Sequence, residues 1–234
     1  MSHYLVNMNR RESAKIRMIF CPHAGGSSLG YLKFIQACPG DIELFILDLP
    51  GRNRVINEPW PIQWEEILER IFSEIIKDHR PTIFLGHSFG SLMALELSHR
   101  FLESHHQTIL GISGLNAPTL SRWKTRRKIT KLPDIEFLAE LKKIGHSDED
   151  LPEHFLNLIK SDLKMLDNYL PSSRRTMTTL VFGGQEDPVT TLEGLTDWEQ
   201  VVELKSPPFI YPGNHFHFLL EHIQLIMREL HNLI

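Results

Sequence analysis

The segment Gly86-His87-Ser88-Phe89-Gly90 constrains this chain more than any other. An apolar run, Thr82-Ile83-Phe84-Leu85, leads into it, and a stretch that reads as helix, Ser91–Leu97, leads out. A serine between glycines where a strand meets a helix predicts a turn too tight for a Cβ at Gly86 or Gly90. Such a turn pushes the Ser88 hydroxyl out above the strand end, at the positive end of a helix, where a nucleophile is useful. The five-residue pattern alone is weak, because ordinary Gly and Ser usage produces it by chance in about one chain in ten of this length. The strand–turn–helix setting gives it weight.

The rest of the chain supplies the sheet that such a turn needs. Short runs dense in Ile, Leu, Val and Phe occur at Ile16–Cys21, Ile42–Leu47, Thr82–Leu85, Ile109–Leu115, Thr178–Phe182 and Pro208–Tyr211. They hardly alternate, as expected of strands buried on both faces of a parallel sheet. Amphipathic stretches separate them. In Ile62–Lys77, residues Ile67, Leu68, Ile71, Phe72, Ile75 and Ile76 form one apolar stripe at helical spacing, and Leu219–Leu233 reads as a C-terminal helix. Alternating strands and helices predict an α/β fold, doubly wound with right-handed crossovers. At 234 residues, one domain with one core is expected. One region breaks the alternation. From about 118 to 171 no strand is convincing, and helices are predicted at Asp134–Ile144 and Pro152–Tyr169. A helical insertion between core strands, set over the strand ends, reads as a lid.

A serine hydroxyl attacks poorly at neutral pH without a base, and the base needs an acid to orient it. In α/β-hydrolases the chain order is Ser, then Asp or Glu, then His. The acid candidate is Asp187, in Val181-Phe182-Gly183-Gly184-Gln185-Glu186-Asp187-Pro188. There a strand ends, glycines turn the chain, and a carboxylate follows on the same sheet edge as Ser88. Glu186 is its neighbour and rival, and an Asp here also suits the N-cap of a following helix. The base candidate is His215, in Tyr211-Pro212-Gly213-Asn214-His215-Phe216-His217. It sits directly after the Gly-Asn turn, whereas His217 falls into a helix start. His87, inside the elbow, reads as a packing residue that supports the turn. An oxyanion hole needs two backbone N–H groups. One is expected from Phe89, the residue after the nucleophile, and the other from Ala24 in the glycine-rich loop Cys21-Pro22-His23-Ala24-Gly25-Gly26. That loop has neither the Lys-Ser/Thr ending of a P-loop nor Gly-x-Gly-x-x-Gly spacing.

Composition narrows the partners. A formal net charge of −4 gives no basic field for nucleic acid. No stretch has the roughly 18 apolar residues of a membrane span, and no apolar segment follows a basic start as in a signal peptide. The two cysteines, Cys21 and Cys38, are no disulfide framework and read as reduced thiols in a cytoplasmic protein. The thirteen histidines are scattered without metal-ligand spacing, so neither a metal nor another cofactor is expected. No feature marks a second interface, and a monomer is expected.

Taken together, these residues resemble the type II thioesterases that accompany polyketide synthases and nonribosomal peptide synthetases. The shared elements are Cys21-Pro22-His23-Ala24-Gly25-Gly26 with Tyr31, Asp48-Leu49-Pro50-Gly51-Arg52, Gly86–Gly90, Leu132-Pro133-Asp134, Asp162 with Tyr169, Gly183–Asp187 with Trp198, and Gly213–Phe216. The resemblance implies an α/β-hydrolase fold with a helical lid after the fold's sixth strand, and a nucleophile, acid and base at Ser88, Asp187 and His215. It implies hydrolysis of an acyl thioester from the phosphopantetheine arm of an acyl or peptidyl carrier protein, to clear aberrant or stalled chains. The chain departs from that pattern in Asn214 for a second glycine, Phe89 for the usual Met, and Lys160-Ser161 for Arg-Ala. Phe89 is expected to narrow the acyl pocket. Carrier proteins are acidic, so the basic run containing Arg122, Lys124, Arg126, Arg127 and Lys128 is a candidate docking surface. Trp123, Phe137, Met165 and Tyr169 are candidates for either an acyl tunnel or plain lid core. An esterase or lipase of the same fold, a thioesterase that releases finished chains, and a silent scaffold are the competing readings.

Overall fold

The apolar runs form a central sheet, and the amphipathic stretches cover its two faces. The computed structural model describes residues 3–60, 63–126, 128–145, 152–170 and 175–234. In chain order its strands and α-helices are β1 (Leu5–Asn7), β2 (Ile16–Cys21), α1 (Phe34–Ala37), β3 (Ile42–Leu47), α2 (Trp64–Ile75), β4 (Thr82–His87), α3 (Phe89–Glu103), β5 (Thr108–Ser113), α4 (Leu120–Thr125), α5 (Asp134–Lys143), α6 (Glu153–Asp167), β6 (Thr178–Gly184), α7 (Leu192–Thr196), β7 (Glu203–Leu204), β8 (Phe209–Tyr211) and α8 (His217–His231). The sheet order is β1-β3-β2-β4-β5-β6-β7, with β8 also paired to β6. Only β1 runs antiparallel among these pairs.

The sheet divides the core in two. Ile19, Phe84 and Leu110 point to the face covered by α2 and α3. Met18, Phe20, Ile83 and Leu85 point to the opposite face, under α1 and α8. The stripe read from the sequence is the buried side of α2, through Ile67, Leu68, Ile71 and Ile75, and Glu65 and Glu66 sit favourably at its positive end. β5 stops at Ser113 rather than Leu115, because Gly114 turns the chain with φ of +64°. α8 starts two residues earlier than expected, since Asn214 Oδ1 accepts the Phe216 and His217 N–H groups at 3.3 and 3.2 Å. Thus the asparagine that departs from the family pattern caps a helix.

The helical insertion, α4 to α6, follows β5 and precedes β6. It is tied to the body by Trp64, whose Nε1 donates to the Met165 carbonyl at 2.7 Å, and braced internally by Trp123, whose Nε1 donates to the Tyr169 carbonyl at 2.8 Å. Phe137, Met165 and Tyr169 are buried and join the same core cluster as α2 and α3. Among the described residues no helix is long and apolar enough to cross a membrane. Cys21 and Cys38 are free and buried; burial pushes both thiols up, Cys38 to about 11.

Candidate active site

Ser88 sits between β4 and α3 with φ of +53°, a left-handed conformation that a non-glycine residue adopts only when its surroundings enforce it. The enforcing contacts are backbone. Ser88 N–H donates to the Ser113 carbonyl at 2.7 Å, and Ser91 N–H donates to the Ser88 carbonyl at 2.9 Å. A Cβ on Gly86 would overlap the Gly90 carbonyl, and one on Gly90 would overlap the carbonyls of Cys21 and Pro22. The elbow therefore lies directly against the loop after β2, which carries Ala24. Cys21 and Gly86 are also register partners in adjacent parallel strands.

Asp187 and His215 meet although 28 residues separate them in the chain. His215 Nδ1 lies 2.8 Å from Asp187 Oδ2, and both side chains are buried. A carboxylate only accepts, so Nδ1 carries the proton and Nε2 is left as an acceptor. Asp187 is itself held: Oδ1 accepts the Val189 N–H at 2.8 Å and Oδ2 the Thr190 hydroxyl at 3.1 Å. The helix that follows is capped by Thr191, whose hydroxyl accepts the Gly194 N–H, so Asp187 is not its N-cap. Glu186, the neighbouring acid, accepts the Gly213 N–H and braces the turn before His215. His217 is exposed.

His87 is fully buried and packs its ring 4.9 Å from that of His215. Its Nδ1 shares a 3.0 Å hydrogen bond with Ser113 Oγ. Burial first, then the neighbouring His215 and His23, hold its pKa well below the ordinary value, so it is neutral packing under the turn. Phe89 is fully buried against Trp64 and is not among the cavity walls, so its side chain does not narrow the pocket as expected.

Ser88 and His215 open into one cavity of about 480 Å³. Its walls include Leu115, Trp123, Ile129, Ile144, Leu163 and Leu166, most of them from the insertion. Trp123 is thus a lining residue, whereas Phe137, Met165 and Tyr169 are core. The basic run is largely engaged. Arg122 pairs with Asp197 at 2.5 Å and Glu193 at 3.1 Å, Arg126 with Asp167, and Lys128 Nζ donates to the Asp167 carbonyl at 3.0 Å. Lys124 is exposed, and Arg127 lies outside the described residues. Among the described residues, no group of three or more His, Cys, Asp or Glu is arranged to hold a metal ion.

Sequence reasoning missed a second cluster beside this site. Asp162 on α6, fully buried, accepts the Gly25 N–H at 2.7 Å and pairs with buried Arg52. Asp48 accepts from the Ser28 N–H at 2.7 Å and from Asn53 Nδ2 at 2.9 Å. Gly25, Asp48, Arg52 and Asp162 stand in the elements that carry the resemblance, but only the fold brings them together.

A mostly parallel sheet of this order, with a strained serine elbow and a buried Asp–His pair beyond its strand ends, defines an α/β-hydrolase. The chain belongs to the thioesterase family, whose domain model matches residues 17–234, and it is a hydrolase of thioesters. It is 30% identical over 221 residues to the thioesterase PikA5 of Streptomyces venezuelae, covering 88% of this chain and 76% of that one. It is 28% identical to the gramicidin S biosynthesis protein GrsT of Aneurinibacillus migulanus, over 93% of this chain and 88% of that one. The solved structure of the type II thioesterase BorB from the borrelidin biosynthetic cluster superimposes with a TM-score of 0.82 at 25% identity, covering 98% and 96% of the two chains.

Proposed function

We propose that this enzyme is an editing thioesterase that hydrolyses acyl groups from the phosphopantetheine thiol of an acyl or peptidyl carrier protein. Ser88 is the nucleophile, His215 the base, Asp187 the orienting acid, and the Ala24 and Phe89 N–H groups form the oxyanion hole. The observation that carries this reading is the buried 2.8 Å His215–Asp187 bond, with His215 opening into the same cavity as Ser88.

The chemistry follows from those roles. His215 Nε2 takes the Ser88 proton as Oγ bonds to the thioester carbonyl carbon. The carbonyl π electrons move onto oxygen, where two N–H donors stabilise the charge. The intermediate collapses, the C–S bond breaks, and the thiolate leaves with the proton from His215. Water then gives its proton to Nε2 and attacks the acyl-serine, and Ser88 recovers a proton as the free acid departs. A thioester has little carbonyl resonance and a good leaving group, so these groups suffice. The helical insertion acts as the lid, and its apolar walls receive the acyl chain. The carrier docks at the basic run that holds Arg122, Lys124, Arg126, Arg127 and Lys128; Arg122 and Arg126 are already paired with acids, so exposed Lys124 is the member to test. Lys124→Glu is expected to raise KM for acyl-carrier substrates and leave small acyl thioesters unchanged.

The test is mass spectrometry of a panel of acylated carrier proteins incubated with the enzyme and with Ser88→Ala. The reading predicts loss of the acyl mass with wild type only, across several short or non-extendable acyl groups. Acyl loss that persists with Ser88→Ala, or carriers left fully acylated by wild type, contradicts it.

A further inference from the structure

The helix α6 does more than roof the cavity. Its residues Leu158, Ile159 and Asp162 seat on the two loops that follow β2 and β3. A Cβ on Gly25 would lie 2.5 Å from Ile159 Cγ1, and one on Gly51 would lie 2.5 Å from Leu158 Cδ2. Both glycines have positive φ, +79° and +82°. Helix and loops therefore touch where only glycine fits.

Asp162 reads out that contact. Residues His23–Gly26 form a turn, with the Gly26 N–H donating to the His23 carbonyl at 2.8 Å and the third residue, Gly25, at φ +79°. Those are the features of a type II turn, whose middle peptide can flip to the type I orientation. The middle peptide here is Ala24–Gly25, and its N–H donates to Asp162 Oδ2 at 2.7 Å. The acceptor holds the type II orientation. The preceding peptide carries the Ala24 N–H, and its own carbonyl is pinned by Gly26. Arg52, donating to the same Oδ2 and to the Pro50 carbonyl at 3.1 Å, fixes the carboxylate in place. Among the described residues Asp162 Oδ1 has no hydrogen-bond partner, and Oδ2 serves both donors.

We propose that Asp162 is a positioning residue for thioester hydrolysis: from the lid helix it locks the loop peptide next to Ala24, and so aims the Ala24 N–H at the developing oxyanion. The inference rests on the oxyanion role given to Ala24 above. Asp162 touches no substrate, and its effect passes through the turn. What it must supply is an acceptor oxygen at the Oδ2 position, not a negative charge.

Asp162→Asn can keep an oxygen where Oδ2 lies and serve both donors. The paired substitution Arg52→Met with Asp162→Leu removes the acceptor and leaves no buried charge behind, an exchange proteins often tolerate without loss of stability. With a small acyl thioester, the paired variant is expected to lose about 100-fold in kcat, the scale of one missing oxyanion donor, with KM within about threefold. Its affinity for an acyl trifluoromethyl ketone, which forms a tetrahedral adduct on Ser88, falls by the same factor, while Tm falls by no more than the roughly 2–10 °C that one unpaired buried N–H costs. Asp162→Asn keeps kcat within about threefold of wild type. A stable paired variant with kcat near wild type overturns the proposal, as does a kcat loss with undiminished ketone affinity. If the paired variant does not fold, a 100-fold loss in Asp162→Asn alone overturns it. Activity surviving in Ser88→Ala would be a different result, against the parent reading.

Discussion

Exchanging Asp187 for asparagine tests the acid–base arrangement at the smallest steric cost. In the native site Oδ1 accepts the Val189 N–H at 2.8 Å and Oδ2 faces His215 Nδ1 at 2.8 Å. The Val189 donor is backbone and cannot reverse. In Asp187→Asn the amide oxygen therefore stays on Val189, and the NH2 group turns to His215. It donates to Nδ1, which drives the ring proton to Nε2, the nitrogen that must accept from Ser88. Flipping the amide restores the right tautomer but sets NH2 against the Val189 N–H. That sets two donors against each other at a part-buried site, at about 1 kcal/mol or more. The imidazolium formed during reaction also loses its counter-charge. Serine triads lose about 10⁴-fold in kcat to this exchange, or about 5 kcal/mol of transition-state stabilisation. Steady-state hydrolysis of a small acyl thioester at neutral pH is the assay. KM should stay within about threefold and the unfolding free energy within about 1 kcal/mol, because the packing is unchanged. A kcat loss below tenfold in the folded variant would refute the arrangement.

Other expectations follow from the same geometry. His215→Ala should abolish turnover whereas exposed His217→Ala should change kcat less than threefold, a modest surface effect; the reverse pattern in thioester assays would move the base. Gly90→Ala, whose methyl meets the Cys21 and Pro22 carbonyls, should cost about 3 kcal/mol or more in chemical denaturation. Gly30→Ala, with open space around its Cβ position, should stay within about 0.5 kcal/mol, and equal effects at the two sites would contradict the packing at the elbow. Burial pushes the Asp162 carboxyl up from 3.8 to about 6, against the lowering effects of Arg52 and Gly25. Because the folded value is the higher one, folding takes up a proton between those values, and this contribution is present below 3.8 and lost as pH rises through about 6. The unfolding free energy of wild type minus that of Asp162→Asn should therefore fall across that window, and a flat difference would refute the assignment.

Much of the fold was legible in the sequence because strands buried on both faces read as unbroken apolar runs. β2 and β3 have the bounds expected, and β4, β5, β6 and β8 differ by one or two residues at their ends. β1 and β7 went unread for a physical reason. They are 3 and 2 residues long and each contains a polar residue, Asn7 or Glu203, so no apolar run marks them as one marks Phe209–Tyr211 in β8. Arg17 was equally opaque: within an apolar strand its guanidinium is buried, donating to the Ile75 and Asp78 carbonyls and to Thr82. In the candidate site, the elbow is local chemistry, so glycine spacing announced it. The Asp187–His215 pair was reachable because each residue follows a strand and a turn on one sheet edge. The Asp162–Gly25 bond, spanning 137 residues between a helix and a loop, has no local signature. Likewise the basic run looked like one free surface, but the acids that neutralise Arg122 and Arg126 come from α6, from α7 and from the residue after it.

The account stands or falls on the Ser88 hydroxyl being activated by His215. The most direct measurement is stoichiometric labelling of the folded enzyme with a fluorophosphonate, followed by peptide mapping. The account predicts a single phosphonyl adduct on the peptide containing Ser88, formed at a rate that collapses in His215→Ala. An unlabelled folded enzyme, or an adduct on another residue that forms equally fast without His215, would contradict it.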